Sequence, residues 1–265
     1  MNATAEFRVD LHVKVLDEEV VRRAKRAGLD AMVYAPHFRR LPEIRELAIR
    51  YTDDELLVVP AREVFTGSWR NRKHVLALGL SEPVPDFITL EGAMAEFARQ
   101  DAVVLAPHPE FATVSLTEAD LRAYRDEIHA VETFNPKHLP SHNRRAREIA
   151  DELDLPAFTS SYAHLRRTVG VAHTAFEREV LLESAGDAGD DGAIVDLLEA
   201  LRSGAPRRVV HRDGVARWRA SATELAHLCW ENSWQKIERL FLTGTEPTHP
   251  DHIAYDGRFD DVAVY

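Results

Sequence analysis

Val59-Pro60-Ala61-Arg62-Glu63 and, one short loop later, Lys73-His74-Val75-Leu76-Ala77-Leu78-Gly79 decide how the whole chain reads. An apolar run from Leu56 to Val59 delivers a carboxylate at its C-terminal end, and the next apolar run opens with a histidine. Carboxylate oxygen and neutral imidazole nitrogen are the ligands that a borderline metal such as zinc or manganese takes. A third ligand type follows another apolar run, in Val103-Val104-Leu105-Ala106-Pro107-His108-Pro109-Glu110. Polar, ligand-capable residues placed just after buried strands mark the chemical face of α/β barrels and open sheets.

Working outward, the same rhythm runs through the first two thirds of the chain. Strands are predicted over residues 7–12, 31–35, 56–59, 74–80, 102–106, 128–133 and 156–160, each a short apolar run. Between them, Asp17 starts a helix with an acidic first turn and Gly28 stops it. Further helices are predicted over 44–51, 90–99, 116–124 and 142–153. Strand alternating with helix implies a parallel, barrel-like α/β fold. The strand ends carry His12, His37, Glu63, His108, Asn135 (in Asn135-Pro136-Lys137-His138) and His164, while His74 begins its own strand. One histidine beside a strand is usually a core residue; so many at corresponding positions point to a site.

After His164 the pattern changes. Residues 171–182 are predicted to add an edge strand, 183–192 an acidic small-residue loop, 194–201 a short helix and 207–211 a strand. The longest amphipathic helix is predicted over 223–242, with Leu225, Leu228, Trp230, Trp234, Ile237, Leu240 and Phe241 on its apolar side. It packs on the barrel or serves as a homo-oligomer contact. The division expected is a barrel over 1–182 and a C-terminal extension over 183–265.

Composition limits the partners. At 265 residues, 45% apolar and 29% charged, the chain has the balance of a globular protein. No apolar run approaches the ~18 residues of a membrane span, so no membrane partner is expected. One cysteine, Cys229, excludes an internal disulfide framework and suits a cytoplasmic location. The net charge of −11, with few lysines among the 33 basic residues, suits a salt-rich, halophilic cytoplasm and argues against broad nucleic-acid binding.

With these residues in hand, the chain resembles the polymerase and histidinol phosphatase (PHP) superfamily of metal-dependent phosphoesterases, from about residue 7 to 174. The Asp-x-His-x-His opening stands as Asp10-Leu11-His12-Val13-Lys14, and the Thr-Asp-His element as Ala35-Pro36-His37. Gly-x-Glu stands as Ala61-Arg62-Glu63, followed by His74 and by His108-Pro109. Glu132-Thr133-Phe134-Asn135 and Ser161-Tyr162-Ala163-His164 with Gly170 complete the set. The resemblance implies a distorted seven-stranded (β/α), TIM-like barrel holding one to three divalent ions. The implied metal ligands are His12, His37, Glu63, His74, His108 and His164. Two ligand positions depart: Lys14 and Tyr162 replace a histidine and an aspartate. Only the set Glu63, His74 and His108 is then complete, and one zinc or manganese site is the expectation.

The function expected from the resemblance is hydrolysis of a phosphate mono- or diester, in a nucleotide, oligonucleotide or small metabolite. Lys14, Arg166 and Arg167 would bind phosphoryl oxygens, and His164 (or His37 if free of metal) would protonate the leaving oxygen. The alternative is a barrel that has lost catalysis and serves as a binding or regulatory module, favoured by the two lost ligands. A nuclease of single strands would need stacking rings beside basic residues. Phe38, Phe65 and Trp69 near Arg39, Arg70 and Arg72 are the available set.

Overall fold

The computed structural model describes residues 6–68, 71–111, 114–183, 192–212, 214, 218 and 222–227. Trp69, Arg70, nearly all of the acidic loop, Cys229, most of the 223–242 helix and the tail lie outside the described residues.

The strands are β1 (Glu6–Val13), β2 (Ala31–Tyr34), β3 (Leu57–Thr66), β4 (Lys73–Leu78), β5 (Val103–Ala106), β6 (Ala130–Phe134), β7 (Ala157–Thr159), β8 (Ala172–Glu177) and β9 (Arg207–His211). The helices are α1 (Glu18–Arg26), α2 (Leu41–Tyr51), α3 (Leu90–Arg99), α4 (Glu118–Ala123), α5 (Pro140–Glu152), α6 (Arg178–Glu183) and α7 (Gly192–Arg202). Asp17 caps α1 as its sequence implies, accepting from the N–H groups of Glu19 and Val20 at 3.0 Å each. Acidic Glu18 and Glu19 at its start and basic Arg23, Lys25 and Arg26 at its end follow the helix dipole.

The strands form one sheet, in the order β7-β6-β5-β4-β3-β2-β1-β8-β9, which curls until its ends nearly meet. Thr159 and Thr174 exchange hydrogen bonds of 3.0 and 2.9 Å between β7 and β8, and a bridge joins Val13 to Ala163. Three expectations are corrected here. The sheet has nine strands among the described residues, not seven. It is mixed, because β4 pairs antiparallel with both β3 and β5, and β8 with β1 and β9. The loop between β3 and β4 is far shorter than the dozen or so residues a parallel crossover needs, so the chain must double back. Finally, β8 is not an edge strand: β9 covers its outer side, and residues 178–183 turn into helix.

The core has an inner and an outer layer. Val9, Leu11, Val33, Val59, Ala61, Leu76, Leu105 and Phe158 fill the barrel, and Leu197, Ala200 and Leu201 of α7 plug its bottom. Outside, α1 and α2 cover β2 and β3 through Val20, Ala24, Ile44 and Ala48, while α3 and α5 cover β4 to β6. The floor is apolar, and the polar residues gather at the opposite mouth.

Candidate metal centre

Glu63 continues the inward row of Val59 and Ala61, since alternate strand residues share a face. His74 reaches it from the facing strand: Phe65 pairs with His74 and Glu63 with Leu76, so the two are diagonal neighbours on one face. The reversal of β4 explains why His74 begins its strand. The N-terminus of an antiparallel strand lies at the same mouth as the C-termini of its parallel neighbours. His12 owes its position to an irregularity. Val9 and Leu11 face inward while Val13 packs outside, and the register against β2 shifts between Asp10 and Val13. That bulge turns His12 into the mouth.

The result is a buried carboxylate ringed by imidazoles. Glu63 Oε2 lies 3.1 Å from His37 Nε2 and 3.4 Å from His12 Nε2. Its Oε1 lies 3.2 Å from His74 Nδ1 and 3.1 Å from His108 Nε2. Lys14 Nζ donates to Glu63 Oε2 and, at 2.6 Å, to the carbonyl of Ala35. Burial alone pushes the Glu63 carboxyl up, but the Lys14 ammonium, with the imidazoles of His37, His12 and His74 facing the carboxylate, outweighs it and holds it well below the usual carboxylate range. Burial presses His12 the other way, down to about 3, so its ring is neutral.

The donor chemistry fits a divalent metal. Ser115 Oγ donates to the carbonyl of Phe111 at 2.8 Å, so its contact of 3.0 Å with His108 Nδ1 is one in which the imidazole N–H donates. The lone pair of His108 Nε2 therefore faces a carboxylate oxygen, two acceptors that a cation between them would satisfy. Both ring nitrogens of His12 are buried without a hydrogen-bond partner among the described residues. His37, Glu63 and His74 place one ligand atom each within 4.8 Å of one another, a set of three. Of the six ligands implied by resemblance, four, His12, His37, His74 and His108, converge on a fifth, Glu63. The expected trio was Glu63, His74 and His108; in the set that closes most tightly His37 stands in place of His108, which still faces Glu63 Oε1 at 3.1 Å.

His164 stands apart. Its ring centroid is 6.5 Å from that of His37, and its Nδ1 lies 2.8 Å from Lys137 Nζ and 3.1 Å from the carbonyl of Tyr162. Burial drives it well below the normal histidine range, and the nearby ammonium of Lys137 adds to the effect. Arg166 pairs with Asp17 at 2.6 Å on the surface, and Arg167 is exposed, so neither reaches the Glu63 cluster. Phe38 and Phe65 are buried with Phe87 in a three-ring cluster, which withholds their faces from stacking on a base.

Sequence reading passed over Lys137 and Glu224. Lys137 lies 3.9 Å from the centroid of Tyr162 and 3.2 Å from the Glu224 carboxylate. The signal for Lys137 was available, because it follows β6 at the same kind of strand end as the histidines. Tyr162, with a positive φ of 47°, holds its ring 4.7 Å from His12 and 5.0 Å from His108, a lid over the side of the centre. Beneath, Glu132 accepts from the His108 N–H at 2.8 Å and from the Asn135 amide at 2.9 Å. Asp10 accepts from the N–H groups of Ser161 at 2.9 Å and Gly170 at 3.0 Å.

One consequence for stability lies beside the cluster. His138 stacks on Phe111 at 4.2 Å, and burial lowers it to about 2. A depressed histidine contributes stability that is complete above the unfolded value near 6.5 and is lost as pH falls toward the folded one. Between pH 6.5 and 4, metal-free protein should lose about 1.4 kcal/mol per pH unit from this residue. Urea unfolding of wild type and His138→Phe measures it: the variant should show a shallower acid limb, and parallel limbs would refute the assignment.

Residues 140–206 match a family model described as PHP-associated. No curated protein matches the chain. Among solved structures, PsfC from Pseudomonas syringae PB-5123 aligns with a TM-score of 0.61 and 20% identity, over 84% of this chain and 97% of that one, which shows a shared fold. An amidohydrolase from Chromobacterium violaceum, with bound sulfate and no metal, aligns at 0.49 and 14%, over 61% of this chain and 89% of its own. A candidate metal-dependent phosphoesterase from Bifidobacterium adolescentis ATCC 15703 aligns at 0.46 and 14%, over 60% and 88%.

Proposed function

We propose that the chain is a PHP-superfamily protein, on the strength of the PHP-associated match over residues 140–206 and the ligand pattern of its centre, and that it is a metal-dependent phosphoesterase with a reduced, one-metal centre of zinc or manganese. The observation that carries this reading is the Glu63 carboxylate, fully buried and faced by four imidazoles and one ammonium. Glu63, His74, His108 and His37 would hold the ion. When bound, a divalent metal supplies Lewis acidity and a hydroxide-strength nucleophile near neutral pH.

The chain's own residues supply the rest. Lys14 takes a second cationic position on Glu63 Oε2, where it neutralises the carboxylate with a fixed charge that no chelator removes. A lysine has three donors and no acceptor, so it occupies that position instead of ligating there. As an ammonium beside the centre, it would hold a phosphoryl oxygen as charge shifts in the transition state. In hydrolysis the ester P–O bond breaks as water oxygen bonds to phosphorus, and the departing oxygen needs a proton. His164 stands beside the Glu63 ring, but burial and the Lys137 ammonium keep its imidazole neutral, so that proton comes from water and not from this ring. Tyr162 and its neighbours exclude bulk water from one side of the centre.

The substrate we infer is a phosphorylated small molecule; the buried rings of Phe38 and Phe65 offer nothing to a single strand. The test is a screen of phosphomonoesters, nucleotides and short oligonucleotides, with chelated protein as the control. Hydrolysis restored by one equivalent of zinc or manganese is expected. Metal bound tightly without turnover of any ester would instead favour the binding-module reading, for which the loss of two ligands to Lys14 and Tyr162 is the motive.

A further inference from the structure

A second buried carboxylate lies at the mouth, outside the Glu63 ring, and among the described residues it is held by N–H, hydroxyl and ammonium donors. Glu224 is 1% exposed. Its Oε1 accepts from the backbone N–H groups of His164 at 3.2 Å and Leu165 at 3.0 Å, and from the hydroxyl of Thr168. Its Oε2 lies 3.2 Å from Lys137 Nζ, 3.4 Å from the His164 N–H and 3.9 Å from His164 Nδ1. All these donors come from the loops that follow β6 and β7, while the carboxylate arrives from the helical residues 222–227, far along the chain. The barrel therefore builds a complete oxyanion nest, and a remote segment fills it.

We propose that this nest is the phosphate subsite of the centre, and that Glu224 is a resident stand-in displaced when a phosphoryl group enters. The inference rests on the reading that the Glu63 centre acts on phosphate esters. Two features favour a ligand site over a plain structural strut. The nest lies one ring's width from the metal ligands: Lys137 sits 3.9 Å over the Tyr162 ring, which itself touches His12 and His108. The donor set also mixes an ammonium, a hydroxyl and two backbone N–H groups from one turn, the combination that suits a tetrahedral oxoanion with several acceptor oxygens. A carboxylate has two oxygens to offer, and Oε1 is shared among three donors.

The test is calorimetric titration of inorganic phosphate into the full chain, stripped of metal by chelator so that binding to an ion does not register. A site occupied by its own side chain binds an outside ligand weakly, in proportion to the fraction of time it stands open. Glu224→Ala should therefore bind phosphate at least ~10-fold more tightly than wild type. Adding Lys137→Met to that variant should abolish the gain. Unchanged affinity in Glu224→Ala that retains its circular dichroism spectrum would overturn the proposal and leave Glu224 a strut. If the alanine variant fails to fold, Glu224→Gln keeps the shape and removes the charge. Tighter phosphate binding is expected there too, and unchanged binding would overturn the proposal equally. Metal content of the unstripped samples reads the Glu63 centre separately, so a failure there is distinguishable from a failure here.

Discussion

Glu63→Gln should strip the protein of its metal: elemental mass spectrometry of chain purified without chelator should find about one zinc or manganese per wild-type molecule, and less than ~0.1 in the variant. Glu63 is the one group shared by His12, His37, His74, His108 and Lys14. An amide keeps the shape and one acceptor but gives up the negative charge, so affinity should fall by at least ~100-fold. Alanine is the worse choice, because it would leave the buried Lys14 ammonium with no acceptor at all at this position and unsettle the fold. His108→Ala should lose metal as well, while keeping the Glu63–Lys14 contact. Metal content unchanged in Glu63→Gln would end the assignment; two ions per wild-type chain would mean that Lys14 yields its position to a metal.

The largest expected loss of stability is at Asp86. Arg62 and Asp86 are each 1% exposed, and Arg62 Nη2 donates to Asp86 Oδ2 at 2.8 Å. Asp86 Oδ1 also accepts from the Phe65 N–H at 2.9 Å, and Arg62 Nη1 donates to the carbonyl of Arg39. Removing one partner strands a buried charge, so Asp86→Ala should cost about 3–5 kcal/mol, read from the midpoint of urea unfolding. Replacing both with apolar residues, Arg62→Met with Asp86→Leu, should recover much of that loss. A loss below ~1 kcal/mol in Asp86→Ala would show that the pair is solvated. The pair brackets Glu63 in sequence through Arg62 and Phe65, so the metal-binding end of β3 should loosen with it.

Much of the architecture was legible because strand and helix periods are local. The seven apolar runs at residues 7 to 160 are strands, and the Asp17 start and Gly28 stop of α1 are physical caps. Ligand-capable residues at strand ends were legible for the same reason, since a barrel gathers the ends of its strands at one mouth. Reversal of β4 was readable too, from a loop too short for a crossover, but the alternating rhythm masked it. Placement of β8 inside the sheet was not readable, because an internal strand and an edge strand differ in what pairs with them, not in what they are made of.

By itself, then, the sequence determined the strands, the helices and the kinds of ligand available, along with the two positions, Lys14 and Tyr162, where the ligand pattern breaks. Tertiary structure alone decided which of those groups meet. Lys14 and Glu63 are 49 positions apart, yet their side chains touch; Lys137 and Glu224 come together from the loop after β6 and from the far C-terminal portion. Charge interaction and hydrogen bonding act over a few ångströms of space, whatever the length of chain between the partners. Only closure of the barrel brings those distances about, which is why a pattern of residues predicts the ligands and only the fold says what each one faces.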